Sequence, residues 1–269
     1  MRAPLAVCGN VAIDIIDGQE PTVGGGPYHC GIGLRLLERP SRIFAKCAPA
    51  DRALLVPPLA ALGVPLTIRD AERTASFGLF YEGEVRRTEM RAVGDPWAPA
   101  DLDAVGGIRW VHLAPLARTD FPAETLAALA DGRRVSYDGQ GLVRAPDVGP
   151  VTLDAGYDPE VLRHISFLKL AEEEAATILP EVNDEAVFAL GVPEVVLTLG
   201  SRGSVVYTDG RSTHVPCHPI LGVDLTGCGD VFAVGYLAAR SDGLAPVAAA
   251  RRATALVSVL LSGRKRGGR

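Results

Sequence analysis

Short apolar runs alternate with helical stretches along nearly the whole of this 269-residue chain, and that rhythm limits the folds open to it. Residues 5–9, Leu-Ala-Val-Cys-Gly, read as a buried strand. Gly24-Gly25-Gly26-Pro27 is a sharp turn, and Pro27 suits the first turn of a helix that continues to Leu37. Residues 42–47 form a second strand. Residues 52–62 are helical and end at Gly63, a C-cap signal. Strands over 110–114 and 135–138 enclose a helix over 123–130. Strands over 166–170, 195–199 and 204–207 follow, again with helical stretches between them. The pattern predicts an α/β fold with a mostly parallel sheet covered by helices on both faces. In such sheets ligands bind beyond the carboxyl ends of the strands.

One region breaks the rhythm. Residues 76–81 and 85–90 flank Glu82-Gly83-Glu84, a hairpin signal. With residues around Asp14 to Gly24 they would make a small flap, lid strands over about 11–24 and 74–91. An edge hairpin without function fits the same pattern. No internal repeat or low-complexity linker divides the chain, so residues 1–269 read as one domain.

The stretch Asp224-Leu225-Thr226-Gly227-Cys228-Gly229-Asp230 carries the chemistry. It stands before an apolar segment, 231–239, that reads as a helix. Two glycines around a small residue let the backbone turn sharply near a ligand. The amides of Gly227, Cys228 and Gly229 would then point outward at the positive end of the helix, a cradle for an anion. Asp230 lies within that cradle, where negative charge is unfavourable unless it is used. Accepting a proton from a hydroxyl nucleophile is such a use. An ordinary Gly-rich loop capped by an acid is the plainer alternative.

Composition removes several other classes. Apolar residues make up 48% and charged residues 22%, the balance of a soluble globular protein. A net charge of −5 argues against a nucleic-acid binder, and the basic tail Arg264-Lys265-Arg266…Arg269 is short enough to be a frayed end. Five scattered cysteines with no CxxC pair and no signal-peptide layout fit a reducing cytoplasm. No apolar stretch is long enough for a membrane span. No GxxxxGK[ST] motif is present, nor a GxGxxG after the first strand, which removes the P-loop and argues against a dinucleotide-dependent oxidoreductase.

Together the motifs resemble the ribokinase-like (PfkB) sugar kinases over nearly the whole chain. The family's D-T-x-G-A-G-D signature is similar to residues 224–230, its early glycine pair to Gly24-Gly25 followed by Gly26-Pro27, and its N-x-x-x-D element to Asn10…Asp14. Its T-x-G-x-x-G is similar to Thr198-Leu199-Gly200-Ser201-Arg202-Gly203, and its K-x-N-E-x-E to Lys169-Leu170-Ala171-Glu172-Glu173-Glu174. The resemblance implies a ribokinase-like three-layer α/β/α sandwich with a small β-strand lid. It also implies an ATP-dependent kinase acting on a hydroxyl of a small sugar or polyol.

The roles it implies follow residue by residue. Asp230 would be the base, with Gly227, Cys228 and Gly229 as the anion hole. Asp14, Gly25, Gly26, His29, Asp138 and Arg144 would contact the acceptor. Lys169, Thr198, Gly200 and Gly203 would serve the nucleotide side, with Val257 and Ser258 walling the adenine. Glu174 would act on Mg²⁺ through water. A monovalent cation near Asp224 and a homodimer through the lid are left open.

The departures also inform. His29 stands where the family usually carries Asn, which unsettles furanose recognition, although a structural histidine fits too. Ala171 replaces Asn, and Cys228 replaces Ala. Asp138-Gly139-Gln140…Arg144 is similar to the D-x-Q-x-x-x-R stretch of the inositol-kinase-like branch. A nucleoside kinase is the alternative within enzymes, with Phe77, Phe80 or Tyr81 stacking on a base. A catalytically silent sugar- or nucleotide-binding protein is the alternative of another class. His112, His164, His214 and His218 have no partner pattern.

Overall fold

The structure, a computed structural model, describes residues 2–82 and 85–267; the predicted hairpin turn at Gly83-Glu84 lies outside the described residues. The strands in chain order are β1 (Leu5–Asn10), β2 (Ala12–Ile16), β3 (Thr22–Gly24), β4 (Ser41–Cys47), β5 (Leu66–Asp70), β6 (Ala75–Glu82), β7 (Val85–Ala92), β8 (Trp110–Leu113), β9 (Arg134–Asp138), β10 (Gly149–Pro150), β11 (Phe167–Ala171), β12 (Glu194–Thr198), β13 (Ser204–Thr208) and β14 (Arg211–Val215). The helices are α1 (Gly26–Leu37), α2 (Arg52–Ala60), α3 (Ala123–Ala130), α4 (Gln140–Val143), α5 (Glu172–Ile178), α6 (Asp184–Ala189), α7 (Cys228–Ser241) and α8 (Pro246–Gly267).

A nine-stranded sheet runs in the order β14-β13-β12-β11-β9-β8-β1-β4-β5. Strands β12 to β5 of that order are parallel, and β13 and β14 continue it antiparallel. The change of direction has a local cause. Residues 199–203, between β12 and β13, are too few for the crossover that a parallel neighbour requires. The periodicity of the sequence misses β5 and β14, the two edges. Both are only partly buried and carry a diluted apolar signal.

Period-two alternation distributes the central strands between two helical layers. In β1, Ala6 and Cys8 join a core with Leu126 and Leu129 of α3, Ala175 of α5 and Val187 of α6. Leu5 and Val7 join the opposite core with Leu34 of α1, Leu59 of α2, Phe232 and Leu237 of α7 and Ala253 of α8. The result is the expected α/β/α sandwich. A five-stranded sheet, β10-β7-β6-β2-β3, stands apart as the lid. Its β6–β7 hairpin is antiparallel, while β2 joins it parallel to β6. The lid carries its own small core of Ala75, Phe77, Leu79, Met90 and Leu116.

Helix α7 is anchored to the main sheet by a buried polar link. Tyr236 Oη donates to Glu194 Oε2 at 2.6 Å, and Arg240 donates to both Glu194 oxygens at 3.0 and 2.7 Å. Removing the carboxylate leaves a cation and a hydroxyl without their acceptor. Glu194→Ala should therefore cost about 2–3 kcal/mol in urea unfolding. Glu194→Gln, which keeps an acceptor for Tyr236, should cost less. A loss for Glu194→Ala within the roughly 0.5 kcal/mol of an ordinary surface change would show that the helix is seated by other contacts.

Candidate active site

The carboxyl ends of β9, β11 and β12, the start of α1 and the start of α7 converge under the lid on a cleft of about 1010 Å³. Among the residues singled out from the sequence, Asp14, Gly25, Gly26, His29, Arg144, Lys169, Glu174, Thr198, Gly200, Gly227, Gly229 and Asp230 line it. They come from positions up to 216 residues apart (230 − 14), and the sheet topology alone brings them together.

At the lid end, Asp14 projects from β2 against the glycine turn that precedes α1. A Cβ on Gly24 would lie 1.9 Å from Asp14 Oδ2, so only glycine leaves room for that carboxylate. Arg144 follows α4, and its guanidinium sits 5.6 Å from the centre of the Phe77 ring. Phe77, Leu79 and Tyr81 alternate along β6 onto the cleft face. Phe80 faces the other way, under Arg87. The lid end thus pairs an apolar wall with Asp14, Arg144, Gln140 and Thr88. Thr88 carries no motif; Gln140 is the Q of the D-x-Q-x-x-x-R-like stretch but was not singled out as a contact. Asn10 does not reach the cleft: it accepts from Trp97 Nε1 at 3.0 Å and donates to Asp95 O at 3.1 Å, tying β1 to the segment after the lid.

Beneath the cleft floor, adjacent strands place Asp138 and Lys169 in register. Lys169 Nζ lies 3.2 Å from Asp138 Oδ2 and 3.8 Å from Glu174 Oε2. Asp138 is buried and does not line the cleft itself; it reaches the site through Lys169. Burial alone would lower the Lys169 ammonium, but Asp138, Glu174 and Asp230 outweigh it and hold it above its usual range. Burial pushes Asp138 up, and Lys169 pulls it down further, leaving it below the usual carboxylate range. Glu174 is pushed up to about 6, mainly by burial. Its Oε2 also accepts the Ala171 N–H at 2.6 Å, closing the first turn of α5. His112, behind this cluster, bonds Ser136 at 3.0 Å, and burial lowers it to about 4.

The turn at α7 differs from its sequence reading in one respect. Gly227 is left-handed (φ 76°) and caps the helix. The Cys228 N–H does not point outward: it bonds Leu225 O at 3.1 Å, closing the tight turn that the left-handed glycine ends. Cys228 also lies outside the cleft lining, whereas Gly227 and Gly229 line it. Among the described residues, the Gly227 and Gly229 amides have no hydrogen-bond partner. Asp230 is partly buried on the same wall. Desolvation and the Asp138 charge push its pKa up to about 7, against the pull of Lys169. Cys30 of α1 backs it, with Sγ 3.8 Å from Oδ1. No motif flagged Cys30; its place one residue after His29, on the α7-facing side of α1, is the only signal for it.

Three further expectations are corrected. Gly203 does not face the cleft: a Cβ there would lie 2.1 Å from Val215 O, so the glycine serves the close packing of the β13–β14 edge. Val257 packs into the core beneath α8, and Ser258 Oγ bonds back to Thr254 O at 3.0 Å, so neither walls the cleft. The loop 220–226 borders the cleft instead, with Leu221 and Leu225 exposed. Arg264 of α8 braces that loop by donating to Asp224 O at 2.6 Å. Thr198 reaches the cleft, but its hydroxyl donates to Leu170 O at 3.0 Å.

No group of three or more His, Cys, Asp or Glu that could by itself hold a metal ion occurs among the described residues. A Mg²⁺ ion fits such a site only in its usual manner, through one carboxylate, water and the phosphates of a bound donor. Glu174 lines the cleft, with Glu172 and Glu173 on the same rim. No helix among the described residues is long and apolar enough to cross a membrane.

Known proteins resemble this chain in sequence and in fold. The chain is 34% identical to an inositol 3-kinase from Zea mays over 183 residues, which are 66% of this chain and 45% of that protein. The chain therefore spans less than half the length of that relative. It is 31% identical to a fructokinase from Salmonella typhimurium over 269 residues, covering 88% of this chain and 84% of that one. Among solved structures, a pyrophosphate-dependent kinase in the ribokinase family, complexed with a pyrophosphate analog and myo-inositol, matches with a TM-score of 0.82 at 24% identity. That match covers 96% of this chain and 95% of the other. Arabidopsis thaliana ribokinase complexed with ribose and ATP matches with a TM-score of 0.72 at 21% identity, covering 97% and 93%. Residues 63–265 match the family described as pfkB family carbohydrate kinase, and with the fold and cleft above this places the chain in that family.

Proposed function

We propose that this chain is an ATP-dependent kinase that transfers the γ-phosphoryl group to a hydroxyl of an inositol-like polyol. The observation that carries the reading is the pairing on one cleft wall of the Asp230 carboxylate with the Gly227 and Gly229 amides. An acceptor held between the apolar lid face and Asp14, Arg144 and Gln140 would present a hydroxyl to Asp230. As that oxygen bonds to phosphorus, Asp230 takes its proton, and the two amides hold the charge on the phosphoryl oxygens. Lys169 adds a fixed positive charge at the same place. Glu174 would hold Mg²⁺ through water, and the ion would add neutralising charge at the donor phosphates. The lid excludes water that would otherwise receive the phosphoryl group.

The acceptor class is supported by the inositol 3-kinase relative and by the make-up of the lid end. A cyclic polyol has an apolar ring face for Phe77 and Leu79 and a hydroxyl rim for the polar wall. On the donor side, the exposed leucines at 221 and 225 offer an apolar rim for a nucleobase. One observation favours a second donor. Val257 and Ser258 do not line the cleft, and inorganic pyrophosphate, which has no base, would need no adenine wall. The open edges β3 and β10 of the lid are where a second copy of the chain would pair.

The reading is tested with myo-inositol, fructose, adenosine and cytidine as acceptors and with ATP or pyrophosphate as donor, following phosphate-ester formation by ³¹P NMR. Turnover should be greatest with myo-inositol and ATP. An absence of ester with every pair would leave the silent binding protein. Greater turnover with a nucleoside would move the assignment to a nucleoside kinase. Asp230→Asn should lower kcat by about a thousandfold or more, because the proton acceptor is gone.

The base works only when ionised. With its pKa near 7, kcat/KM for the acceptor should fall about tenfold per pH unit below that value and level off above it. A flat profile from about pH 5 to 9 would remove Asp230 as base. Stability should move the opposite way. An acid whose folded pKa is raised binds its proton more tightly folded than unfolded, so the fold loses stability as pH rises from the ordinary carboxylate value through about 7. Asparagine is never charged. Asp230→Asn should therefore melt higher than the native chain at pH 8 and no higher at pH 4, as read by circular dichroism.

A further inference from the structure

The bonded Cys228 amide leaves the turn with two free N–H groups, Gly227 and Gly229, among the described residues. A phosphoryl group in transfer spreads its charge over three equatorial oxygens. Side chains stand at both ends of the turn. A Cβ built on Gly229 would lie 3.3 Å from Lys169 Nζ, so the ammonium flanks that end. A Cβ built on Gly227 would lie 2.7 Å from His29 Nδ1 and 2.8 Å from its Cγ, so the imidazole packs against the other. Helix α1 is held here at two consecutive residues, since Cys30 touches Asp230. His29 lines the cleft. The Tyr28 ring meets the imidazole edge-on at 5.4 Å and holds its plane.

Resting on the kinase reading above, we propose that His29 donates a ring N–H to the transferred phosphoryl group, in place of the bond that the Cys228 amide cannot make. His29 is thereby assigned to the phosphoryl side of the site and not to recognition of acceptor hydroxyls. The step balances without it losing a proton. The acceptor oxygen bonds to phosphorus, the bond to the leaving phosphate oxygen breaks, and the hydroxyl proton passes to Asp230. The imidazole keeps its own proton throughout. The assignment also gives Gly227 a second function: besides adopting φ 76°, it leaves the space that the ring occupies.

The experiment compares native chain, His29→Ala, His29→Asn and His29→Gln, each first checked for a native-like melt by circular dichroism. His29→Ala should lose about a hundredfold in kcat, the cost of one donor at developing charge, with acceptor KM within about twofold. His29→Gln, which carries an N–H of similar reach, should recover about tenfold of that loss. Inhibition by ADP with aluminium fluoride, a planar phosphoryl mimic, should weaken in His29→Ala while myo-inositol binding measured by calorimetry stays unchanged.

An acceptor KM raised about tenfold with kcat retained would overturn the proposal and return His29 to acceptor binding. Unchanged kcat and KM would overturn it as well. Should His29→Ala fail to fold, the same split is read from the Asn and Gln variants. A native chain inactive on every acceptor removes the kinase reading and this role with it, whereas an active native chain with a pure KM effect removes this role alone.

Discussion

Lys169 Nζ stands 3.2 Å from Asp138 and 3.8 Å from Glu174, and its charge also reaches Asp230. Without a cation there, three carboxylates shielded from water would repel one another, and each would resist ionisation. The ammonium does not serve them equally. Asp138, in register on the neighbouring strand, is held ionised, while Glu174 and Asp230 keep pKa values of about 6 and 7. One buried ion pair thus makes the floor of the cleft tolerable and leaves a nearby carboxylate titrating close to neutral pH. A base in that range accepts a proton readily and still releases it afterwards.

Close backbone approach is the second constraint. Gly33 of α1 faces α7 so tightly that a Cβ would lie 2.6 Å from Val234 and 3.3 Å from the Val231 backbone. That contact brings His29 and Cys30 onto the first turn of α7. The same core buries Phe232, Val234 and Leu237 of α7, each worth about 1.5–3 kcal/mol on removal from water. The apolar contact between the helices therefore sets the position of polar groups at their ends. Glu194, through Tyr236 and Arg240, fixes α7 against the sheet from the other side.

Much of the fold was legible because its signals are local. Buried parallel strands are continuous apolar runs, and Pro27 and the glycines before it mark the start of α1. The antiparallel turn into β13 was not read: helical stretches were expected between these strands, whereas residues 199–203 hold only a single 3-10 turn. Edge strands β5 and β14 were not legible either, because half-solvated strands lack an apolar run. At the site, most glycines and acids in motifs reached the cleft, Gly203 and Asp138 excepted, while residues placed by analogy along a helix did not. Val257 and Ser258 illustrate this: which face of α8 meets the core is decided by what packs beneath it.

The sequence by itself determined the βαβ order, the lid, the family and the positions of the acid and glycines of the α7 turn, because each depends on neighbours within a few residues. Only the tertiary structure decided which amides of that turn are free, that Asp138 acts through Lys169, and that α1 presses His29 and Cys30 onto the turn. Those features depend on groups from separate elements meeting at about 3–4 Å, the range over which hydrogen bonds and charge pairing act. No local pattern encodes such distances.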